Sequence, residues 1–211
     1  MPQPSSAALQ PRKQPRQARS QVTVDAIFEA TIQVLLSDGP RRLTTTRVAE
    51  RAGVSVGTLY QYYPNKQALL FAVLQRHLAR VAEAVEAAAR ATHHARLSVM
   101  VAAVVGAFVH AKTERIDEAC ALYRVASELD STELVKAVAR RNRAAISAML
   151  ATASDARFDD LALISFMFSA AMAGPTRAML EGGASPKMLR ALRGQMESLC
   201  LGYLQHEALP A

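Results

Sequence analysis

Residues 44–66, TTTRVAERAGVSVGTLYQYYPNK, decide the fold of this chain. Their pattern predicts two short helices joined by a tight turn. Thr44 or Thr45 can cap the first helix, because a threonine oxygen accepts hydrogen bonds from the free N–H groups there. Gly53 can end that helix in a left-handed conformation, which glycine adopts without a Cβ clash. Ser55 can cap the second helix, and Pro64 ends it.

The spacing of Ala49 and Gly53 indicates a helix-turn-helix, in which two helices cross closely at a small residue. An ordinary αα-hairpin in a helical bundle has the same local pattern. The second helix favours the helix-turn-helix, since residues 54–63 carry no charge but several hydroxyl and amide groups. Such groups suit contacts with phosphate oxygens and base edges.

The distribution of charge along the chain also favours the helix-turn-helix. The 211 residues carry a net charge of +7, and residues 1–66 contain nine Lys or Arg against four Asp or Glu. This excess beside the motif favours an N-terminal end that faces a polyanion. A basic leader that only aids solubility is the alternative. A 51% hydrophobic composition with few aromatic residues favours helices over sheets.

The sequence around the motif predicts an all-α protein in three parts. Residues 1–19 are rich in proline and arginine, and form a disordered basic tail that could reach DNA or do nothing measurable. Residues 20–66 form a three-helix DNA-binding domain, with a first helix over 20–37. Residues 67–211 form a helical bundle for ligand binding and dimerisation, entered by a long helix that ends near residue 91.

Several helix ends in the bundle have local signals. Residues 130–133, DSTE, resemble a capping box that opens a helix. Asp159 or Asp160 can cap the next helix, which spans about 160–181 and contains Pro175. Ser185 and Pro186 are a cap and a first-turn proline for the last helix, about 186–206.

The sequence gives little indication of an enzyme, a metal site or a membrane span. The sequence has no HExxH, Rossmann or Walker motif, so we expect no enzyme, no catalytic residue and no cofactor. His93 and His94 are adjacent and cannot face the same way on a helix, so we expect no metal site. Cys120 and Cys200 lie far apart and indicate buried thiols of a cytoplasmic protein. The apolar run 161–176 is short for a membrane span, so we expect a buried helix and no membrane.

The text from residue 43 to residue 70, LTTTRVAERAGVSVGTLYQYYPNKQALL, resembles the TetR family of bacterial transcriptional regulators. The spacing, the turn glycine, the TLYxYY pattern and the following NK all agree with that family. The resemblance implies a homodimer that binds partly palindromic operator DNA through its N-terminal domains. It also implies an effector pocket in the bundle and a dimer contact through the last two helices.

The resemblance carries specific DNA contacts onto this chain. Thr46 matches a base-contacting position where many members have arginine, and Arg47 beside it could take that role. Val56 and Gly57 match residues that face bases, where they would touch thymine methyls or admit the DNA backbone closely. The implied DNA-binding set is Thr44, Thr45, Thr46, Arg47, Ser55, Val56, Gly57, Thr58, Tyr60, Tyr62 and Lys66. Tyr63 matches a structural aromatic position of the family.

A ligand pocket in a bundle needs apolar walls and a few polar groups. The residues named for it are Phe108, His110, Tyr123, Phe166, Phe168 and Met172. Each is also typical of a packed core, so the set stays a hypothesis. The main functional hypothesis is a dimeric repressor released from DNA by a small-molecule effector. The alternatives are a DNA-binding regulator without such an effector, acting constitutively or through a protein partner, and an all-helical interaction or enzyme module whose motif is accidental.

Overall fold

A computed structural model describes residues 18–209 and confirms the predicted all-α fold for this part of the chain. Residues 18–209 form nine α-helices and no β-strand. The helices are α1 (Ala18–Arg42), α2 (Thr45–Ala52), α3 (Val56–Tyr62), α4 (Lys66–Ala91), α5 (Leu97–Thr113), α6 (Ile116–Glu128), α7 (Thr132–Leu150), α8 (Leu161–Gly182) and α9 (Pro186–Glu207). The predicted tail lies outside the described residues, apart from positions 18 and 19, with which α1 begins.

The chain divides into two compact units. The first contains the residues up to His77 together with Cys120–Ser131. The second contains Leu78–Ala119 and the residues from Thr132 onward. Helices α4 and α6 therefore each contribute residues to both units. The predicted domain boundary after residue 66 falls at the start of α4, whereas the first unit extends further along that helix.

Helices α1, α2 and α3 form the interior of the first unit. Ile27 of α1, Val48 and Ala49 of α2 and Leu59 of α3 are completely inaccessible to solvent. Helix α1 is broken at Gly39, whose φ of 76° lies in the left-handed region that glycine tolerates. This break ends the regular part of α1 where the sequence predicted it and turns the chain toward α2.

The caps of the two motif helices agree with the sequence. Thr44 Oγ1 accepts a hydrogen bond from the Arg47 backbone N–H at 3.3 Å, so Thr44, not Thr45, is the cap of α2. Gly53 has a φ of 67° and closes α2, with the Val54 N–H donating to the Ala49 carbonyl at 3.0 Å. Ser55 Oγ accepts from the Thr58 N–H at 3.0 Å and caps α3. The helix-turn-helix predicted from residues 44–66 is therefore confirmed as a backbone structure.

The second unit has one apolar core, which α4, α5 and α7–α9 build together. Its largest completely buried side chains include Phe168, Met100 and Met149. The predicted caps of the last two helices are present, since Asp160 Oδ1 accepts from the Leu163 N–H at 2.9 Å and Ser185 Oγ from the Met188 N–H at 3.3 Å. Both helices therefore begin at the residues that their cap signals predict.

The capping box predicted at residues 130–133 does not form. A box needs its cap three residues before the glutamate, which would be Asp130, but α7 begins only at Thr132. The Ser131 hydroxyl donates to the Ala126 carbonyl at 3.1 Å, and the Glu133 carboxylate pairs with Lys136 at 2.9 Å. The sequence predicted the helix but not how its first turn is held.

Helix α8 is a long apolar helix with one side on the surface of the second unit. It is long and apolar enough to cross a membrane, with a mean hydropathy of 1.2, and one third of its most apolar window is buried. The core helix of a soluble protein has the same length and composition. Leu163 and Met167 of α8 are exposed, so the buried helix expected here is buried on one side only within a single chain. Within residues 18–209, much of its outward side is apolar surface exposed to solvent.

The second unit also buries a charged side chain. Lys112, near the end of α5, is 4% exposed, and burial lowers the pKa of its ammonium group to about 8. An ordinary lysine in the unfolded chain has a pKa of roughly 10.4. Between these two values the unfolded chain binds more protons than the folded one, so this lysine makes stability rise with pH from about 8 to about 10.

Replacing Lys112 with methionine tests this effect. We expect the stability of Lys112→Met relative to the wild type to fall by about 2 kcal/mol as the pH rises from 8 to 10, because only the wild type gains stability as the buried ammonium group loses its proton. Urea unfolding of both proteins at each pH measures it. The Cys200 thiol, whose pKa burial raises to about 12, titrates equally in both and cancels from the difference. A stability difference that does not change with pH would contradict the prediction.

Candidate DNA-binding interface and ligand groove

Helix α3 presents a polar, uncharged face to solvent. Gly57, Tyr60 and Gln61 are exposed, while Leu59 on the opposite side is completely buried. Residues three and four apart share one face of a helix, so Gly57, Tyr60 and Gln61 are neighbours on it. The helix is thus anchored by one leucine and offers backbone, hydroxyl and amide groups outward. Val56, Thr58 and Tyr62 are half-buried at the edges of this face.

Gly57 is not required by the packing of the chain itself. A Cβ at this position would meet only the Ser55 hydroxyl oxygen, at an ordinary contact distance of 3.7 Å. Its backbone does not adopt a positive φ. Glycine inside a helix costs about 1 kcal/mol relative to alanine, so its presence here needs another reason. Close approach of another molecule to the α3 backbone is such a reason.

One hydroxyl pair links the two motif helices, and a second lies in the first turn of α3. Thr45 Oγ1 of α2 lies 3.0 Å from the Tyr60 hydroxyl of α3, and Ser55 Oγ lies 2.8 Å from Thr58 Oγ1. Thr45 is buried, whereas Thr44 and Thr46 are exposed beside it. A hydroxyl can both donate and accept, so those used internally keep capacity for a second bond. These contacts fix the orientation of the side chains that the sequence assigned to DNA.

The basic groups near the motif are held by neighbouring residues. The Arg47 guanidinium pairs with Asp38 of α1, and Arg51 Nε donates to Gln33 Oε1 at 2.8 Å. Lys66 Nζ donates to the Pro40 carbonyl at 2.5 Å, which ties the start of α4 to the α1–α2 turn. Lysine has three N–H donors, so this bond leaves others for a phosphate. Arg47 stays half-exposed, and its charge is partly offset by Asp38.

Tyr63 packs as the resemblance implied. It is 4% exposed, and its ring lies 5.6 Å from that of Phe28. The Arg76 guanidinium lies 5.2 Å above the Phe28 ring and pairs with Asp25. Burial raises the pKa of the Tyr63 hydroxyl above its usual range. Tyr63 therefore supports the motif from the inside.

The six residues predicted to line a ligand pocket are dispersed. Phe108, Phe168 and Met172 are buried in the core of the second unit. His110 is exposed, and Tyr123 is half-buried in the first unit. Phe166 lies on the exposed side of α8. The structure therefore does not bring these six side chains together.

A groove of about 410 Å³ lies between α7 and α8 in the second unit. Helix α7 contributes Lys136, Ala139, Arg140 and Arg143, and α8 contributes Phe166, Ser169, Ala170 and Ala173. We call these eight residues the α7–α8 groove. Its volume lies within the roughly 300–1,000 Å³ of small-molecule sites. Of the six predicted ligand residues, Phe166 alone lines it.

The sequence predictions omit two groups of residues that lie on these surfaces. Gln61 belongs to the uncharged stretch 54–63 and is exposed on α3, but it is absent from the predicted DNA-binding set. The α7 cations Lys136, Arg140 and Arg143 are also absent from the predicted ligand residues, because nothing in the local sequence indicates which helix packs beside them. Amphipathic spacing gives the face of α7 but not its neighbour. Among residues 18–209, no group of three or more His, Cys, Asp or Glu is arranged to hold a metal ion.

Comparison with known families decides the identity of the fold. Residues 96–204 match the C-terminal domain of tetracyclin repressor-like proteins, and residues 27–73 match the tetR family of bacterial regulatory proteins. The chain belongs to the TetR family. The resemblance stated from residues 43–70 is thereby confirmed. The two matches also agree with the helix-turn-helix near the N-terminus and the helical bundle after it.

Individual relatives of this TetR-family chain are distant or partial. The HTH-type transcriptional repressor KstR of Mycolicibacterium smegmatis is 40% identical over 77 residues, which is 36% of this chain and 38% of KstR. The chain therefore matches little more than a third of that relative's length. A TetR-family regulator from Mesorhizobium loti has a TM-score of 0.73 at 15% identity, covering 92% of this chain and 100% of its own. FadR of Bacillus subtilis, solved with stearoyl-CoA, has a TM-score of 0.67 at 17% identity, covering 84% and 97%. The two structures show a shared fold.

Proposed function

We propose that this TetR-family protein is a dimeric, ligand-responsive transcriptional repressor of the cytoplasm that binds palindromic operator DNA. The observation that carries the proposal is the exposed face of α3, where Gly57 has no internal role and Tyr60 and Gln61 offer polar groups. Such a face suits the major groove, which admits an α-helix and is read by hydrogen bonds and methyl contacts. The excess of basic residues in the first 66 positions supports it.

Under this proposal the predicted DNA-binding residues have distinct roles. Gly57 and Val56 admit the DNA closely, with Val56 against a thymine methyl. Thr44, Thr46 and Thr58 offer hydroxyls to phosphates, and Gln61 is placed to pair with adenine. Thr45, Ser55, Tyr60, Tyr62, Arg47 and Lys66 combine a structural bond or packing contact with a position at the rim of this face. Few of these groups read bases directly, so DNA shape contributes to specificity.

Dimerisation is part of the proposal because operator reading needs two motifs about one helical turn apart, roughly 34–36 Å, or a multiple of it. The exposed apolar residues Leu163 and Met167 of α8 and Met188 and Leu199 of α9 support a contact through the last two helices. A second copy of the same surface would remove them from water. An effector acts by favouring the state of the dimer that DNA disfavours.

The α7–α8 groove favours an effector over constitutive action. A bundle without a cavity of roughly 300 Å³ would have supported a regulator controlled only by a protein partner. The groove exceeds that volume. The regulator without an effector remains the second candidate, and it is favoured if no small molecule releases the protein from DNA.

Gly57→Ala tests the DNA-binding assignment, after bound DNA has been selected from a random pool. We expect affinity for the selected DNA to fall by about tenfold or more at matched salt, because a methyl group separates α3 from the bases. The free energy of unfolding should stay equal or rise by up to about 1 kcal/mol, since alanine is the better helix former. Gel retardation and urea unfolding measure the two effects. Unchanged DNA affinity in the stable variant would refute the role of Gly57.

A further inference from the structure

The α7–α8 groove combines an apolar floor with a cationic wall. Ala139, Ala170 and Ala173 are small and exposed, and the Phe166 ring is 47% exposed beside them. Lys136, Arg140 and Arg143 project from α7, and none of the eight lining residues is acidic. The groove thus offers positive charge on one side and apolar surface on the other.

Two of the three cations form no direct ion pair in the described part of the chain, and Glu133 acts on Arg140 only by attraction at longer range. Arg140 and Arg143 form no ion pair within residues 18–209, whereas Lys136 pairs with Glu133 at 2.9 Å. The neighbouring Arg141 provides the contrast, because it binds both Glu86 oxygens at 2.9 Å and does not line the groove. The positive charge at the groove is therefore available to a ligand.

The position of Arg143 is partly fixed. Its guanidinium lies 5.6 Å from the centre of the Phe166 ring, a cation–π contact at the rim of the groove. An arginine that stacks on an aromatic ring keeps its N–H groups free for a carboxylate or phosphate. Arg140 is one helical turn away, within reach of the same anion. Guanidinium groups bind such anions through two parallel hydrogen bonds.

We propose that the α7–α8 groove binds an amphipathic anion, with its carboxylate on Arg140 and Arg143 and its alkyl or aromatic part over Phe166 and Ala170. The inference deepens the proposed function, because it names the chemical class of the effector. Charge complementarity selects an anion over a cation, and the apolar floor selects a molecule with a hydrocarbon part. A volume of about 410 Å³ accommodates a molecule of medium chain length.

Calorimetric titration of the full chain with decanoate tests the proposal directly. We expect decanoate to bind about tenfold or more tightly than 1-decanol, which lacks the charge, and than butyrate, which lacks the long chain. The double variant Arg140→Gln/Arg143→Gln should weaken decanoate binding by about tenfold or more, and leave 1-decanol within about threefold. Arg141→Gln, which removes an equal charge from the same helix outside the groove, should leave both unchanged.

A second variant separates the groove floor from its charge. Ala170→Leu fills the floor and should weaken decanoate and 1-decanol alike, without altering the cations. Absence of decanoate binding, or binding that the double arginine variant leaves unchanged, overturns the proposal. Loss of the dimer in Ala170→Leu, seen by size-exclusion chromatography, also overturns it, because Ala170 would then belong to the contact between copies and not to a ligand groove.

The DNA arm of the experiment distinguishes this inference from the proposed function. Decanoate that binds and releases the selected DNA supports both. If decanoate binds in the groove but the protein retains no DNA, the ligand assignment of the groove is supported and the proposed repressor function is refuted. DNA retention by a protein that binds no decanoate refutes the groove assignment and leaves DNA binding intact.

Discussion

Leu59→Ala should lower the free energy of unfolding of the first unit by about 3 kcal/mol and reduce DNA binding to a sequence-independent level. Leu59 is completely inaccessible to solvent, and it is the buried anchor of α3. Truncating a buried leucine removes its hydrophobic contribution and leaves a cavity. A helix of seven residues does not persist in water without such packing. The polar face of α3 would then lose its fixed orientation.

Urea unfolding and gel retardation of Leu59→Ala measure these two effects. Leu59→Met is the matched control, since it keeps the volume and should cost less than about 1.5 kcal/mol. The control should retain the selected DNA at close to wild-type affinity. Wild-type DNA affinity in Leu59→Ala would mean that α3 is positioned by something other than this leucine.

Phe168→Ala should destabilise the second unit by about 3–5 kcal/mol, the usual cost of truncating a fully buried phenylalanine. Phe168 is completely buried in the core between α8 and its neighbours. Phe166 lies two residues away on the same helix, exposed at the α7–α8 groove. Phe166→Ala should therefore cost less than about 1 kcal/mol, although the residue type and helix are the same.

The comparison of these two phenylalanine variants tests the rotation of α8 about its axis. Thermal unfolding followed by circular dichroism should give a clearly lower midpoint for Phe168→Ala than for Phe166→Ala. Equal losses, or a larger loss for Phe166→Ala, would mean that α8 presents a different side to the core. The α7–α8 groove requires Phe166 to face outward, so that result would also contradict the groove assignment.

Local sequence signals predict most of the helix boundaries. Thr44, Gly53 and Ser55 mark the motif helices because each has a side chain or conformation that a helix end requires. Asp160 and Ser185 with Pro186 mark the last two helices for the same reason. These signals act within four residues, so a single sequence contains them. The all-α fold follows from the same local evidence repeated along the chain.

Contacts between distant residues could not be predicted in this way. Helix α8 is apolar around most of its circumference, so its sequence does not say that Phe168 faces inward and Phe166 outward. The bond from Lys66 to the Pro40 carbonyl joins residues 26 positions apart, and that from Thr45 to Tyr60 spans 15. Residue type predicts the six ligand residues, whereas the side of the helix on which each one lies depends on packing. The α7–α8 groove forms because α7 and α8 pack side by side. The sequence of neither helix specifies that pairing.

The first unit is built from two separate segments of the chain, and this has a consequence for folding during synthesis. Forty-two residues, 78–119, separate the N-terminal part of the unit, which ends at His77, from its second segment, Cys120–Ser131. Leu122 and Val125, within that returning segment, are buried. Closing a loop of that length costs entropy before its contacts form. A ribosome that has released the helix-turn-helix has therefore not yet delivered the whole unit, which can be completed only when residue 131 has emerged.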